Sequence, residues 1–419
     1  MATRVLITGM GTICPLGSER HAAFDAALAG TCVVGAAPDP VARWLPGMLV
    51  AAAADPAPLL ESRYAGLDRA TQFALIAAHQ AMTEAAMTDQ PPVDADRIGV
   101  YAGIGFGGAQ TVDSQYERFY SLLHDPSQRG RNPTVMHPLS VPRMMPNAAA
   151  ALVSMRYGLH GSSNTYSVAC ASSAVAIGEA FRAIRDGYLD AAVVVGTEAM
   201  LTPGAMLAWN ALRVMAKPHL ADPSRSCRPF SADRNGFVLG EGAAALVLES
   251  ESRAQARGQQ ARAEVCGFGS TSDADHLTAP SSAQQVRAMQ QALQQSGLQP
   301  GQIQYLNAHG TATDMGDVIE TQSIRAVFGD ASGLAVSSTK SMHGHLIGAS
   351  GILEFLLSVM AIEKGALPPT ATLEVPDPRC NLDFIPLVGR HPVTVEAVMS
   401  NSFAFGGSNA SLVARRYPG

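Results

Sequence analysis

Hydrophobic and polar positions along the chain follow two rhythms. Short, wholly apolar runs such as AAVVVG at 191–196 predict strands of a buried sheet. Ala174, Ile177, Phe181, Ile184 and Tyr188 recur at spacings of three and four. That spacing predicts a helix with one buried stripe, ended by Gly187. A second helix is predicted from Ile352 to about Lys364, stopped by Gly365 and the two prolines beyond it. Strand-like and helical runs alternate throughout, which is the pattern of an α/β protein. No low-complexity linker divides the chain.

The runs also echo one another. VLITGMG (5–11) and AEVCGFG (263–269) each read as a strand leading into Gly-x-Gly. GEGAAALVLES (240–250) and GGSNASLVARR (406–416) each read as a glycine turn and a closing strand. Between them, SVACASSAVAIGEAFRAIRDG and SSTKSMHGHLIGASGILEFLLSVMAIEKG run strand, turn, helix, glycine in the same order. Two related halves of unequal length would explain the echo, the first carrying the larger insertions. Chance similarity between glycine-rich α/β units would explain it equally well.

Composition narrows the function. The 419 residues are 47% hydrophobic and 15% charged, so the chain has ample apolar surface to bury and is not disordered. A net charge of −6 without a basic run argues against nucleic acid as partner. No uncharged apolar stretch approaches the ~18 residues of a membrane span, and the opening segment reads as a first strand, so a cytoplasmic protein is expected. Cys14, Cys32, Cys170, Cys227, Cys266 and Cys380 form no CxxC pair, which disfavours zinc ribbons and a disulfide framework.

Several segments carry candidate chemistry. Gly9-Met10-Gly11 invites a dinucleotide reading, but Cys14 and Pro15 stand where the third glycine belongs. GIGFGG (103–108) lacks a downstream ribose-binding acid, and close backbone packing accounts better for both. Cys170 lies on the turn between a strand-like piece and the stripe-bearing helix. There, unpaired amides and the helix dipole favour thiolate. An inert buried thiol is the alternative, and it is the reading given to the other five cysteines. His309 ends an apolar run in NAHGTATDMGD, while Lys340, His343 and His345 share a glycine-flanked turn in KSMHGHLIGASG. Only three lysines stand against 26 arginines, so a lysine in such a turn is unlike surface decoration. Two or three histidines without supporting ligands make a weak metal site. A thiol, two histidines and a lysine suit thioester chemistry better, as nucleophile and as donors to developing negative charge. NSFAFGGSNASL (401–412) reads either as a tight hairpin or as an oxyanion or gating loop.

Taken together, VLITGMGTICPLG, YSVACASSAVAIGEA, CRPFSADRNGFVLGEGA, LNAHGTATDMGD, SSTKSMHGHLIGASG and NSFAFGGSN resemble the elongating β-ketoacyl-acyl carrier protein synthases. These segments run in family order across essentially the whole chain. The resemblance implies a thiolase-type α/β fold, two related halves (1–258 and 259–419) in a five-layer α-β-α-β-α arrangement. It implies Cys170 as acylated nucleophile, His309 and His345 as the decarboxylation and condensation pair, and Lys340 as supporting lysine with Glu320 its ionic partner. Phe405, with Phe403 and Gly406, would form the oxyanion and gating loop. Thr311 and Thr313 would touch the carrier's pantetheine, and Phe106 would face the acyl pocket. No metal or cofactor is implied. The expected partner is acyl carrier protein in acyl and malonyl forms, docking near Arg69, Arg213 and Lys217. A homodimer is expected, with a heterodimer containing a related subunit as the alternative.

Departures from the family pattern are Ser231 and Asn235 where acids are common, Ala404 for a glycine, His343 for a threonine, and Phe106 for a smaller aliphatic residue. A thiolase would need a second catalytic cysteine near the C-terminus, and nothing follows Cys380. Initiating condensing enzymes normally carry Asn in place of His345. Non-catalytic partner subunits lack the nucleophile.

Overall fold

The computed structural model describes residues 3–88, 92–128, 136–329 and 333–418. Its main sheet is built from β1 (Val5–Ile13), β2 (Ile98–Gly103), β3 (Ser163–Tyr166), β4 (Ala191–Glu198) and β5 (Gly242–Ser250). It continues with β6 (Ala263–Ser272), β7 (Tyr305–Asn307), β8 (Ala335–Ser337), β9 (Ala397–Phe403) and β10 (Ser408–Arg415). Six helices matter to the site: α1 (Arg69–Glu84), α2 (Ala148–Tyr157), α3 (Ser172–Arg185), α4 (Ser282–Ser296), α5 (Asp314–Phe328) and α6 (Ser350–Lys364).

The strand order is β8-β7-β9-β10-β6-β1-β5-β4-β2-β3. Read outward from the centre, its two arms are the same. β1 pairs antiparallel with β5, β5 antiparallel with β4, and β4, β2 and β3 run parallel. β6 pairs antiparallel with β10, β10 antiparallel with β9, and β9, β7 and β8 run parallel. Each first strand is followed by a helix on the outer face, and each edge strand (β3, β8) leads through a turn into a central helix (α3, α6). Hydrogen bonds between Val5–Ile7 of β1 and Ala263–Val265 of β6 join the arms.

The layers are α1 and α2, one arm, α3 and α6, the other arm, then α4 and α5. Three apolar cores separate them, the central one built around α3 and α6. Helix α6 is buried from Ser350 to Ile362 on every side, which explains an apolar run with no polar stripe. It begins two residues before the expected start and ends at Gly365, whose φ is +60°. In α3 the stripe Ala174, Ile177, Phe181 and Ile184 is buried, but Tyr188 lies past Gly187 and is 76% exposed, so it leaves the stripe. Gly178 of α3 admits the ring of Phe268 from the opposite arm, where a Cβ would sit 2.3 Å from ring carbons. AAVVVG is the core of β4, and no helix among the described residues is long and apolar enough to cross a membrane.

The topology places the carboxyl ends of β3, β7, β8 and β9 at one point, together with the N-termini of α3 and α6. Crevices of this kind are where α/β sheets bind ligands.

Candidate active site

Cys170 sits in a single 3-10 turn, Ala169–Ala171, immediately before α3. Ala169 is held at φ +49°, an unusual conformation for a residue with a side chain, which aims the thiol into the crevice. The Ser172 hydroxyl braces the turn, accepting from Val168 N at 2.9 Å and donating to Ala169 O at 2.6 Å. Across the crevice, His345 Nε2 lies 3.0 Å from the Cys170 sulfur. His309, at the end of β7, stands edge-on to His345 with ring centroids 5.4 Å apart. Phe405 occupies the turn between β9 and β10, and its backbone N–H is directed at the Cys170 sulfur. The glycine-rich segment is therefore both a hairpin and part of the site.

The hydrogen bonds assign the histidine tautomers. His345 Nδ1 is 2.8 Å from the Ser350 hydroxyl and accepts from Ile347 N at 3.3 Å. A nitrogen that accepts from a backbone N–H carries no proton, so the Ser350 hydroxyl, which itself accepts from Leu346 N, donates to Nδ1. His309 Nδ1 faces the Lys340 ammonium at 3.5 Å, and an ammonium only donates. Both rings therefore carry their proton on Nε2. Burial, then the Lys340 charge, hold both histidines well below the usual histidine value, so both are neutral donors near pH 7. Sγ of Cys170 and one ring nitrogen from each histidine lie within 4.8 Å of one another, close enough to suggest a metal. Metal-bound imidazoles, however, donate their second N–H to an acceptor. Here both second nitrogens receive donors, and the arrangement opposes a metal.

The thiol departs from expectation. Burial pushes Cys170 up to about 12, partly offset by the Lys340 charge and by the amides of Phe405 and Cys170. The helix N-terminus is present as expected, but in the closed site burial outweighs it.

The ion pair is also corrected. Lys340, fully buried, bonds to Glu354 of α6, not to Glu320. Glu320 instead accepts from His309 N at 2.8 Å and Gly310 N at 2.7 Å, clamping the turn that presents His309. Asp317, one turn earlier on α5, does the same for Ala312 N and Phe230 N. The sequence did carry a signal for Glu354, as the one acid in the apolar run ILEFLLSVM.

A cavity of about 310 Å³ opens from Cys170 past His309, Thr311, Thr313, Phe403 and Phe405. The hydroxyls of Thr311 and Thr313 are 3.1 Å apart in its wall. Gly406 is exposed at the hairpin tip and its amide donates to Leu277 O at 2.7 Å, so it is not a donor to the site. Phe106, 51% exposed, lines a second apolar cavity of about 360 Å³ on the other side of Ala169. Trp209 and Ile347 border both cavities, and Trp209 stacks on Phe405 with centroids 6.5 Å apart. Sequence reasoning missed Trp209, although it is one of only two tryptophans.

Of the docking candidates, Arg213 and Lys217 are exposed, whereas Arg69 is tied to Glu241 at 2.7 Å and lies over the Phe73 ring. Arg69 is thus structural. Ser231 donates to Asp233, and Asn235 accepts from Lys217 N, so both departures are absorbed locally. His343 is buried 3.0 Å from the Thr339 hydroxyl, and burial takes its pKa down to about 3.

Residues 2–254 match the family described as Beta-ketoacyl synthase, N-terminal domain, and residues 262–374 match the corresponding C-terminal domain. The chain belongs to the β-ketoacyl synthase family. This synthase is 39% identical to 3-oxoacyl-[acyl-carrier-protein] synthase 2 of Staphylococcus aureus, over 99% of its own length and 98% of the relative's. A β-ketoacyl synthase from Burkholderia phymatum superposes with a TM-score of 0.88 at 35% identity, covering 99% and 100% of the two chains. The ishigamide ketosynthase/chain length factor superposes with a TM-score of 0.88 at 29% identity, with both chains fully covered.

The corrected pairing has a measurable consequence. Glu354→Gln leaves the Lys340 ammonium buried without a counter-charge and should cost roughly 3–5 kcal/mol in denaturant unfolding. Glu320→Gln keeps one acceptor for the two amides and should cost about 1–3 kcal/mol. A larger loss at Glu320 would restore the pairing expected from sequence.

Proposed function

We propose that this synthase joins an acyl primer, held on Cys170, to the two-carbon unit of a malonyl-carrier thioester. The observation carrying this reading is the clustering of two neutral histidines on one thiol, with a ring nitrogen of each within 4.8 Å of the Cys170 sulfur. In the first half-reaction the Cys170 sulfur attacks the acyl-carrier thioester. The carrier thiol leaves with the proton that Cys170 gives up, and the oxyanion is held by the amides of Cys170 and Phe405. In the second, the bond from the malonyl α-carbon to its carboxylate breaks and carbon dioxide departs. The electron pair forms an enolate whose oxygen accepts from His309 and His345. The enolate carbon then bonds to the acyl carbonyl carbon and Cys170 leaves as thiolate, which regains a proton. The product is a β-ketoacyl-carrier thioester. The second step needs neutral histidine donors, which burial and the Lys340 charge supply, and neither step requires a metal or redox cofactor.

The carrier is acyl carrier protein, the substrate named for the Staphylococcus aureus relative. It docks at the mouth of the Cys170 cavity, where Arg213 and Lys217 offer local positive charge that the net −6 does not. Thr311 and Thr313 receive its pantetheine arm. The units 1–258 and 259–419 are proposed as the related halves, supported by the matching orders of their strands and helices. The setting is cytoplasmic, in line with carrier-borne substrates.

Strand β3 is an open, exposed sheet edge, and the helix at Ala109–Leu123 exposes Tyr116, Tyr120 and Leu123. A second copy of the chain covers this face. The ishigamide ketosynthase/chain length factor favours a second reading, in which a related non-catalytic subunit takes that place.

Three measurements test these proposals. His309→Ala and His345→Ala should each still form acyl-Cys170, yet release carbon dioxide from malonyl-carrier about 10²–10³-fold more slowly. A variant that decarboxylates at the wild-type rate ends that histidine's role. Phe106 fills volume beside the primer, so kcat/KM should favour short or flat conjugated primers, and Phe106→Ala should raise kcat/KM for long saturated ones. Efficient use of long saturated primers by the wild type would refute this. Native mass of the purified chain should correspond to two copies; a monomer that pairs only with a related subunit favours the second reading.

A further inference from the structure

Glu198 ends β4 fully buried, and among the described residues no cation pairs with it. Its carboxylate accepts three backbone N–H groups. Oε2 takes Gly105 at 2.8 Å and Gly348 at 3.1 Å, and Oε1 takes Phe106 at 3.3 Å. These amides come from two separate loops. One is the GIGFGG turn that carries Phe106 into the second cavity. The other is the turn that follows His345. The loops touch, since a Cβ on Gly348 would lie 2.2 Å from the Gly105 nitrogen. A Cβ on Gly105 would lie 2.6 Å from Glu198 Oε2 and 2.9 Å from the Ile347 side chain.

Leu346 and Ile347 join His345 to Gly348, and Ile347 is held at φ +45°. A β-branched residue takes that conformation only when its surroundings impose it. Its N–H donates to His345 Nδ1, which keeps the ring proton on Nε2. The chain of contacts therefore runs from Glu198 through the Gly348 amide and the strained Ile347 to the tautomer of His345. Burial pushes Glu198 up to about 8, with the three amide donors offsetting it, as expected of a carboxyl kept in place for the amides it accepts from.

We propose that Glu198 is a positioning residue for the condensation. It holds the strained Ile347 turn that fixes His345 as an Nε2–H donor, and it ties that turn to the loop bearing Phe106. Primer pocket and malonyl chemistry thus share one support. The inference rests on the function proposed above, because it assigns His345 the same donor role.

The test compares wild type with Glu198→Gln and Ile347→Gly. Glutamine presents an N–H₂ to at least one of the three amide donors. Glycine accepts φ +45° but also reaches conformations closed to isoleucine, so that variant frees the turn without removing a hydrogen-bonding group. In ¹⁵N-histidine spectra, with the His345 signal identified by its loss in His345→Ala, the wild type should show a neutral Nε2–H ring. Both variants should show a mixture with Nδ1–H. Acylation of Cys170 by a short primer should change by less than about threefold in Glu198→Gln, while decarboxylation by either acylated variant should fall about 10–10²-fold. Wild-type tautomer and decarboxylation rate in Ile347→Gly and in folded Glu198→Gln would overturn the proposal. Should Glu198→Gln not fold, Ile347→Gly decides alone. A wild type that releases no carbon dioxide would instead overturn the proposed function, and the tautomer comparison would still settle the part played by Glu198.

Discussion

The Lys340 ammonium is the charge around which the centre of the molecule is arranged. Taking an ion of this kind out of water costs several kcal/mol, and a carboxylate must go with it. Glu354 meets that need from the middle of α6, the most completely buried helix. Once in place, the ammonium donates to His309 Nδ1 and helps hold His309, His345 and His343 neutral. It also draws the Cys170 thiol down against the pull of burial. Burial sets the protonation of these groups first, and the one buried cation reinforces it at the histidines and opposes it at the thiol. Around it, neighbouring turns are fixed by carboxylates that accept from backbone amides: Glu320 and Asp317 on α5, and Glu198 at the end of β4.

Much of this was legible along the chain. The turns carrying Cys170, His309, Lys340, His345 and Phe405 are all marked by small residues and glycines after apolar strands. Their convergence follows from the α/β architecture. What the linear order conceals is which side chains cross between turns. Glu320 lies eleven residues from His309 and looked like a partner for Lys340, but α5 turns it toward the amides at 309 and 310 instead. Glu354 lies in a run that reads as uniform core. Arg69 looked like exposed charge because its partner, Glu241, is brought from a distant segment. The thiol's pKa misled for a similar reason: helix position is readable locally, whereas burial is set by everything that closes over the site.

Strain is concentrated here as well. Ala169, Ala312 and Ile347 all hold positive φ angles on the loops that meet at the crevice. None is glycine, so each depends on its surroundings to stay where it is. Ala404, substituted for a usual glycine, does not adopt such a conformation, and the hairpin closes around it through Ala404 N to Ser408 O at 2.8 Å. The loops that must be placed accurately are thus overdetermined by hydrogen bonds, while the hairpin tip at Gly406 stays exposed.

The matched arms have a consequence that does not depend on any side chain. Because the two arms are arranged alike, α3 and α6 bring their N-termini to the same crevice, one behind Cys170 and the other behind His345. Each helix end carries about half a positive elementary charge from its aligned peptide dipoles. Together they give the backbone alone roughly the electrostatic pull of one cation, focused where a carboxylate enters, an enolate forms and a thiolate departs. The two-armed scaffold is in this sense already an anion receptor, and the catalytic residues refine a field that the fold supplies.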